Sequence, residues 1–191
     1  MSQAPEHAAE SRIDAARHLA LRALEIGFGR LARPPATTGR LRLIVRRTPG
    51  PRETPAAAVL TPEEGLEGDA WSRRAPRDPN AQLTVMRHDI AELIANGQPL
   101  TLFGDNLFVD LDISAGNLPA GTRLRLGECI VEVTPEPHMG CRKFRDRFGQ
   151  DALRFTADRE IRVHNARGIH WRVVEAGTIR VGDRIEVLAS G

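Results

Sequence analysis

A chain of 191 residues with 41% hydrophobic content buries one substantial core, which excludes a large multidomain assembly and predicts one domain with an appendage. Twenty-seven Lys and Arg against 25 Asp and Glu leave a formal charge of +2, too small for a whole-protein field that would recruit nucleic acid or an anionic membrane surface. Two cysteines, Cys129 and Cys141, in a chain without a secretory apolar segment or a long apolar span predict free thiols and a cytoplasmic location.

The first segment, "SRIDAARHLALRALEIGFGRLARPP", reads as a helix. Ser11 with Asp14 resembles a capping box, Ile13, Ala16, Ala20 and Leu24 recur at helical spacing, and Gly27 or Gly29 supplies a stop. The acidic residues Glu6, Glu10, Asp14 and Glu25, in and just before it, argue against a mitochondrial address. "RPPATTG" then acts as a linker, so residues 1–38 form a helical arm and residues 39–191 the domain proper.

From Gly39 the periodicity changes to two. "RLRLIVRR" predicts a strand with Leu41 and Leu43 on one face. Residues 48–80, dense in Pro, Gly and charge, predict a long functional or mobile loop. "AQLTVM" reads as a short buried strand, and residues 88–95 as a helix with Ile90, Leu93 and Ile94 on its apolar stripe, closed by Asn96-Gly97. This is the one helix expected inside the domain. "NLFVDLDI", "RLRLGECIVEVT" and "IHWRVVEAGTIRVGDRIEVL" follow as strands punctuated by Pro119, Gly121, Gly177 and Gly182-Asp183. Many short strands and no alternation of strand with helix predict a mainly β, mainly antiparallel fold closed into a barrel. In "ECIVEVT" Cys129 shares a face with Val131 and Val133, which predicts a core thiol; Trp171 is expected in the core, and Trp71 as a packing anchor or pocket wall.

Cys141 sits differently, after Pro135, Pro137 and Gly140 and before Arg142, Lys143 and Arg145, charges that favour thiolate. Three uses stay open on local pattern alone: a packed loop thiol, a nucleophile partnered by His138, His164 or His170, and a metal ligand. The paired ligand spacing of a zinc site is absent.

The ordered string "GLEGDAW", "QLTVM", "FGDNLFVDLDIS", "LPAGTRLRLGECIVEVT", "PHMGC" and "RGIHWRVVEAGTIRVGDRIEVL" resembles the MOSC domain, the module named for the C-terminus of molybdenum cofactor sulfurases, and most closely its small stand-alone bacterial members. The likeness runs from about Gly39 to the end and implies a MOSC-like β-barrel with a few short helices. It also implies that Cys141 matches the cysteine that ligates molybdenum of a pterin cofactor in the reductase members. Asn106 matches the asparagine of the family's Glu-Asn-Leu element, and Gly68-Asp69 and Gly182-Asp183 match its early and late Gly-Asp pairs. The implied activity is reduction of an N-hydroxylated small molecule at the metal, with Cys141 and Asn106 as catalytic residues. A soft thiolate suits such a metal, and an anionic pterin phosphate needs cations: Arg142, Lys143 and Arg145 form one set, Arg162, His164 and Arg167 a second, with Asp69 alongside.

With no iron-sulfur motif, a separate electron-donor reductase is implied as partner. The alternative is a non-redox module in which Cys141 carries sulfur as a persulfide or hands cofactor to a biosynthetic partner. A structural interaction protein is the third reading. Pyridoxal phosphate is not expected, since Lys143 is the only lysine.

Overall fold

The computed structural model describes residues 13–188. In chain order the elements are α1 (Leu21–Gly29), β1 (Thr38–Ile44), β2 (Ala57–Thr61), β3 (Gly65–Leu66), β4 (Leu83–Arg87), α2 (His88–Ala95), β5 (Leu107–Val109), β6 (Arg123–Leu126), β7 (Cys129–Val133), α3 (Arg142–Phe148), α4 (Gln150–Ala157), α5 (Arg159–Arg162), β8 (Ile169–Glu175), β9 (Gly177–Arg180) and β10 (Arg184–Val187). Seven strands close a barrel in the order β1-β10-β6-β7-β8-β4-β5, and β3-β2-β9 form a separate three-stranded sheet. Every barrel pairing is antiparallel except β4 with β5, so the predicted mainly antiparallel barrel is what the chain forms. Among the described residues no helix is long and apolar enough to cross a membrane.

Two cores flank the barrel wall. The first fills the barrel with Leu41, Ile44, Leu83, Val85, Leu107, Val109, Leu124, Cys129, Val131 and Trp171. The second lies outside it, where Met86, Phe108 and Val45 meet Leu24 of α1, Ile90 and Ile94 of α2, and Phe144, Phe148 and Phe155 of α3 and α4. Successive side chains of a strand face opposite ways, so a strand covered on both faces is buried throughout, and all five residues of β4 are buried, with Thr84 bonded to Asn106 and Arg87 to Asp89. In β7 the same holds: Cys129, Val131 and Val133 face the barrel core, while Glu132 on the other face is buried and clamped by Arg123 and Arg172.

Three expectations need correction. The arm is a broken helix, because Ala20 is extended at ψ 152°. Asp14 caps only the 3-10 turn Ala15–Arg17, accepting from Ala16 N, while Ser11 lies outside the described residues. Of the two expected stops it is Gly29 that ends α1; Gly27 lets α1 cross α2 closely, for a Cβ there would meet Leu93 Cδ1. Residues 48–80 carry β2 and β3 as well as loop. Finally, α2 is not the domain's one helix: α3, α4 and α5 occupy residues 142–162. Phe144, Phe148, Ala152 and Phe155 are their buried stripe, which dense intervening charge and the break at Gly149 (φ 92°) concealed.

The range expected for α2 and its left-handed closure are both present, with Asn96 at φ 46° bonding Glu92 O. The arm packs on α2 and α4: Leu21 N donates to Asp151 Oδ2 (3.1 Å), Asp14 N to Gln98 Oε1 (2.9 Å), and His18 Nε2 lies 3.0 Å from Arg147 O. Leu24 is fully buried there. Leu24→Ala is therefore expected to cost about 2–5 kcal/mol, read as a lowered urea midpoint at unchanged slope.

Candidate functional site

The segments after β1 and β3 and the residue before β5 bring three charged or polar side chains together: Arg47, Asp69 and Asn106. Asp69 and Asn106 are both fully buried, and burying a carboxylate is tolerated only when it is paired and hydrogen-bonded. Arg47, just past β1, provides that. Its Nε lies 3.0 and 3.1 Å from the two Asp69 oxygens, its Nη2 bonds the same carboxylate, and its backbone N donates to Asp69 Oδ1 at 2.7 Å. Trp71 N is a fourth donor atom, 3.0 Å from Asp69 Oδ2. Burial alone would raise the Asp69 pKa; the Arg47 hydrogen bonds and charge outweigh it and hold the carboxyl below its ordinary value. Arg47 Nη2 also reaches Asn106 Oδ1 (3.1 Å), which accepts from Thr84 N and Oγ1 of β4. Asn106 Nδ2 donates to Val45 O at 3.3 Å, so one asparagine ties β1, β4 and β5.

The neighbouring residue builds a second network. Asp105, fully buried, accepts from Arg167 Nη1 at 2.7 Å. Its other oxygen stands 3.4 Å from His138 Nδ1 without an aligned hydrogen bond, and both atoms, like Arg167 Nε, lack a partner among the described residues. The His138 and His170 rings lie 4.6 Å apart, and His170 Nδ1 is 3.0 Å from Glu136 O. Burial pushes the His138 pKa down to about 3, against the pull of Asp105 and with help from Arg167, so its imidazole is neutral. His170 is lowered by burial too. Asp105 stays below the usual carboxylate range because Arg167 more than offsets its burial. Gly168 makes room for this cluster: at φ 106° its Cβ would stand 2.3 Å from Val85 O and 2.9 Å from His138 Nδ1.

Cys141 is exposed, while Cys129 is buried and its thiol pushed up to about 11 by burial. Cys141 ends the Pro135–Gly140 loop and stands immediately before α3, its carbonyl accepting from Arg145 N. Gly140 sits tight on α4, where a Cβ would come within 2.5 Å of Leu153 Cδ1. One turn into α3, Phe144 lies under the Arg167 guanidinium at 4.9 Å, which links the cysteine's helix to the Asp105 network. Beside the loop opens a cleft of about 510 Å³ lined by Pro135, Glu136, Pro137, His138 and Met139 on one side and Arg162, Val163 and Arg167 on another. A second cleft of about 570 Å³ lies between the linker, β1 and β10.

Of the residues singled out from sequence, Asp69 and Asn106 thus share Arg47, and Arg167 joins Asp105. Arg162 is exposed on the cleft wall. Arg142 and Lys143 are exposed on α3, Arg142 pairing loosely with Asp146 (3.8 Å), and Arg145 bonds the same carboxylate (2.9 and 3.1 Å). His164 turns toward the arm, its ring 5.4 Å from Phe28. Arg47 and Asp105 carry the networks yet escaped the sequence reading as site residues, as did Arg52 and Arg147, which donate to the carbonyls of Thr101 and Leu102; His170 was weighed only as a partner for the cysteine. Asp105 stood inside a quoted motif. Arg47 had no signal, since its partners lie 22 and 59 residues away.

The family model of the MOSC domain matches residues 63–186. A comparison with curated proteins returns no match. Among solved structures the chain is similar to the YUAD protein from Bacillus subtilis, at 16% identity and TM-score 0.60 over 81% of this chain and 97% of that one. It is also similar to YiiM from Escherichia coli, at 22% identity and TM-score 0.54 over 80% and 71%. YiiM from Geobacillus stearothermophilus gives 14% identity and TM-score 0.55 over 80% and 76%. At these identities the likeness is one of fold.

Arg47→Met leaves the Asp69 carboxylate buried and unpaired, and is expected to destabilise by about 3–5 kcal/mol in chemical denaturation. Because the His138 pKa is depressed from 6.5 to about 3, the unfolded chain takes up that proton first as pH falls. Stability should decline below pH 6.5, by about 1 kcal/mol per pH unit, before Asp105 titrates. His138→Gln should flatten that slope in thermal denaturation across the same range, leaving what His170, also lowered by burial, contributes.

Proposed function

The chain belongs to the MOSC domain family, and from that premise we propose that it holds a molybdenum cofactor through Cys141 and reduces N-hydroxylated small molecules. The observation that carries this reading is the position of Cys141: a free, exposed thiol at a loop-to-helix junction, two residues from a cleft wall and one helical turn from a buried charge network. The donor set fits. Among the described residues no group of three or more His, Cys, Asp or Glu is placed to hold a metal ion, so a metal bound here takes one protein sulfur and brings its other ligands with it, as a pterin-held molybdenum does. A thiolate is the protein donor that suits such a soft centre.

When bound, the cofactor supplies the two-electron redox change. The protein's own residues ligate, bind and shape. Cys141 contributes the sulfur. Arg142 and Lys143, exposed beside it, and Arg162 on the cleft wall are the cations for an anionic pterin phosphate; Arg145 has Asp146 to satisfy, and His164 faces the arm. Asp69 and Asn106 act through position: clamped on Arg47, they fix the loops that frame the site. Arg167 holds Asp105 and stacks over Phe144, which steadies the first turn of α3 under the cysteine. Electrons come from a separate donor protein.

A second reading has its own support. An exposed thiol whose nearest chemical equivalent, Cys129, is sealed in the barrel cannot close an internal disulfide, and a persulfide on it would face a partner protein directly. Metal analysis separates the two. Protein from a molybdenum-replete host is expected to contain near-stoichiometric molybdenum and to oxidise reduced benzyl viologen with benzohydroxamic acid; Cys141→Ala is expected to lose the metal and to lower the rate at least a hundredfold, roughly the loss of an essential ligand. Full activity in Cys141→Ala ends the reductase reading, and a sulfur adduct on Cys141 in metal-free protein, seen by mass spectrometry, replaces it with the carrier.

A further inference from the structure

We propose that the cleft between the linker, β1 and the start of α2 binds a small organic molecule through one dianionic phosphate group, at the end of the barrel away from the Arg47 and Asp105 networks. The strand register fixes that separation. β1 runs against β5, with Ile44 beside Leu107 and Leu41 beside Val109, and β4 runs along β5, with Val85 beside Leu107 and Arg87 beside Val109. Val45, Thr84 and Asn106 therefore gather at one end with Arg47, whereas Gly39, Arg40, Arg87 and Asp110 stand at the other and line the cleft. The site is independent of the reductase reading.

Charge carries the proposal. Arg40 on β1 and Arg184 on β10 are direct cross-strand partners, and like charges placed so repel each other. Arg42, exposed on β1 as Arg40 is, together with Arg33 of the linker and Arg87, brings the guanidiniums around the cleft to five. Acids answer three of them: Asp89 accepts from Arg87 Nε at 3.0 Å, Asp110 stands 3.7 Å from Arg42, and Glu186 stands 2.9 Å from Arg184. His88, also on the wall, faces Glu92 at 3.3 Å. Two guanidiniums are left over. Among the described residues the Arg40 side chain donates only to a neutral carbonyl, Gly182 O at 3.0 Å, and Arg33 has neither a hydrogen bond nor an ion pair.

Two cations without a counterion match a phosphate monoester dianion, whose oxygens accept from guanidinium forks, better than they match a single carboxylate. Size and surface add an organic body to that phosphate. At about 570 Å³ the cleft is in the range of small-molecule sites, with more room than a bare phosphate fills. Ala32, Pro34 and Pro35 give it an apolar wall on which a ring can lie.

The test is titration calorimetry of the full-length protein in phosphate-free buffer, with phenyl phosphate, inorganic phosphate and benzoate as probes. Phenyl phosphate is expected to bind about tenfold more tightly than inorganic phosphate, which lacks the ring, and than benzoate, which carries one charge. Arg33→Gln and Arg40→Gln should each weaken phenyl phosphate binding about tenfold, the loss of one charge-assisted hydrogen bond. Arg159→Gln, at an exposed arginine on α5, should leave Kd unaltered. Arg33 has no partner to lose, so its variant should melt like wild type and report on binding alone. Phenyl phosphate binding that is indifferent to Arg33 and Arg40, or that is lost only in Arg142→Gln beside Cys141, overturns the proposal. A single-stranded oligonucleotide that binds through the same arginines while phenyl phosphate does not also overturns it, in favour of nucleic acid. Binding that depends on Arg33 and Arg40 in Cys141→Ala as in wild type sustains the cleft even where metal analysis ends the reductase reading.

Discussion

One buried ion pair organises this protein. Arg47 leaves the end of β1 and meets Asp69 across a loop, with no water-exposed alternative for the carboxylate. A buried pair of this kind adds little net stability over an apolar replacement, but removing one partner is costly. Its value is therefore geometric. Because the guanidinium also reaches Asn106, and Asn106 is bonded to Thr84 and Val45, a single side chain fixes the relative positions of β1, β4, β5 and the loop before Trp71. These are the segments around which the rest of the site is assembled.

The second network, Asp105 with Arg167 and His138, differs in being incompletely bonded. Arg167 neutralises the carboxylate, yet Asp105 Oδ1 and His138 Nδ1 face each other at 3.4 Å without an aligned hydrogen bond. Native proteins leave few such atoms unmet, and those they leave tend to lie where function is performed. The two networks are adjacent through the peptide that joins Asp105 to Asn106, one side satisfied and rigid, the other open toward the cleft.

How much of this was legible in the sequence follows the range of the interactions concerned. β6 announced itself by alternation, β4 by its short apolar run, and α2 by its stripe and the Asn96-Gly97 closure, since those are local patterns, whereas in β1 a bulge sends Leu41 and Leu43, expected on one face, to different cores. Cys141 as an exposed thiol and Cys129 as a core one could also be read locally, from proline and glycine on one side and alternating apolar residues on the other. The helices after Cys141 were missed because Phe144, Phe148 and Phe155 are spaced for a helix but separated by arginines and by the turn at Gly149. The Arg47 clamp had no local signature at all: its partners are distant in sequence, and in a chain with so many arginines nothing marks this one. His138 had the opposite fate, weighed from sequence as a partner for the cysteine and found instead in a buried pair with Asp105.

The placement of β1 has a further meaning. The recognisable family segment begins at residue 63, yet β1, which precedes it, pairs with both β10 and β5 and closes the barrel. A fragment cut to the segment of detectable likeness would leave two raw strand margins, each a row of unpaired amides and carbonyls open to sticking with another copy. The unit matched by the family model is thus smaller than the unit that folds, and the difference includes the strand that leads into Arg47.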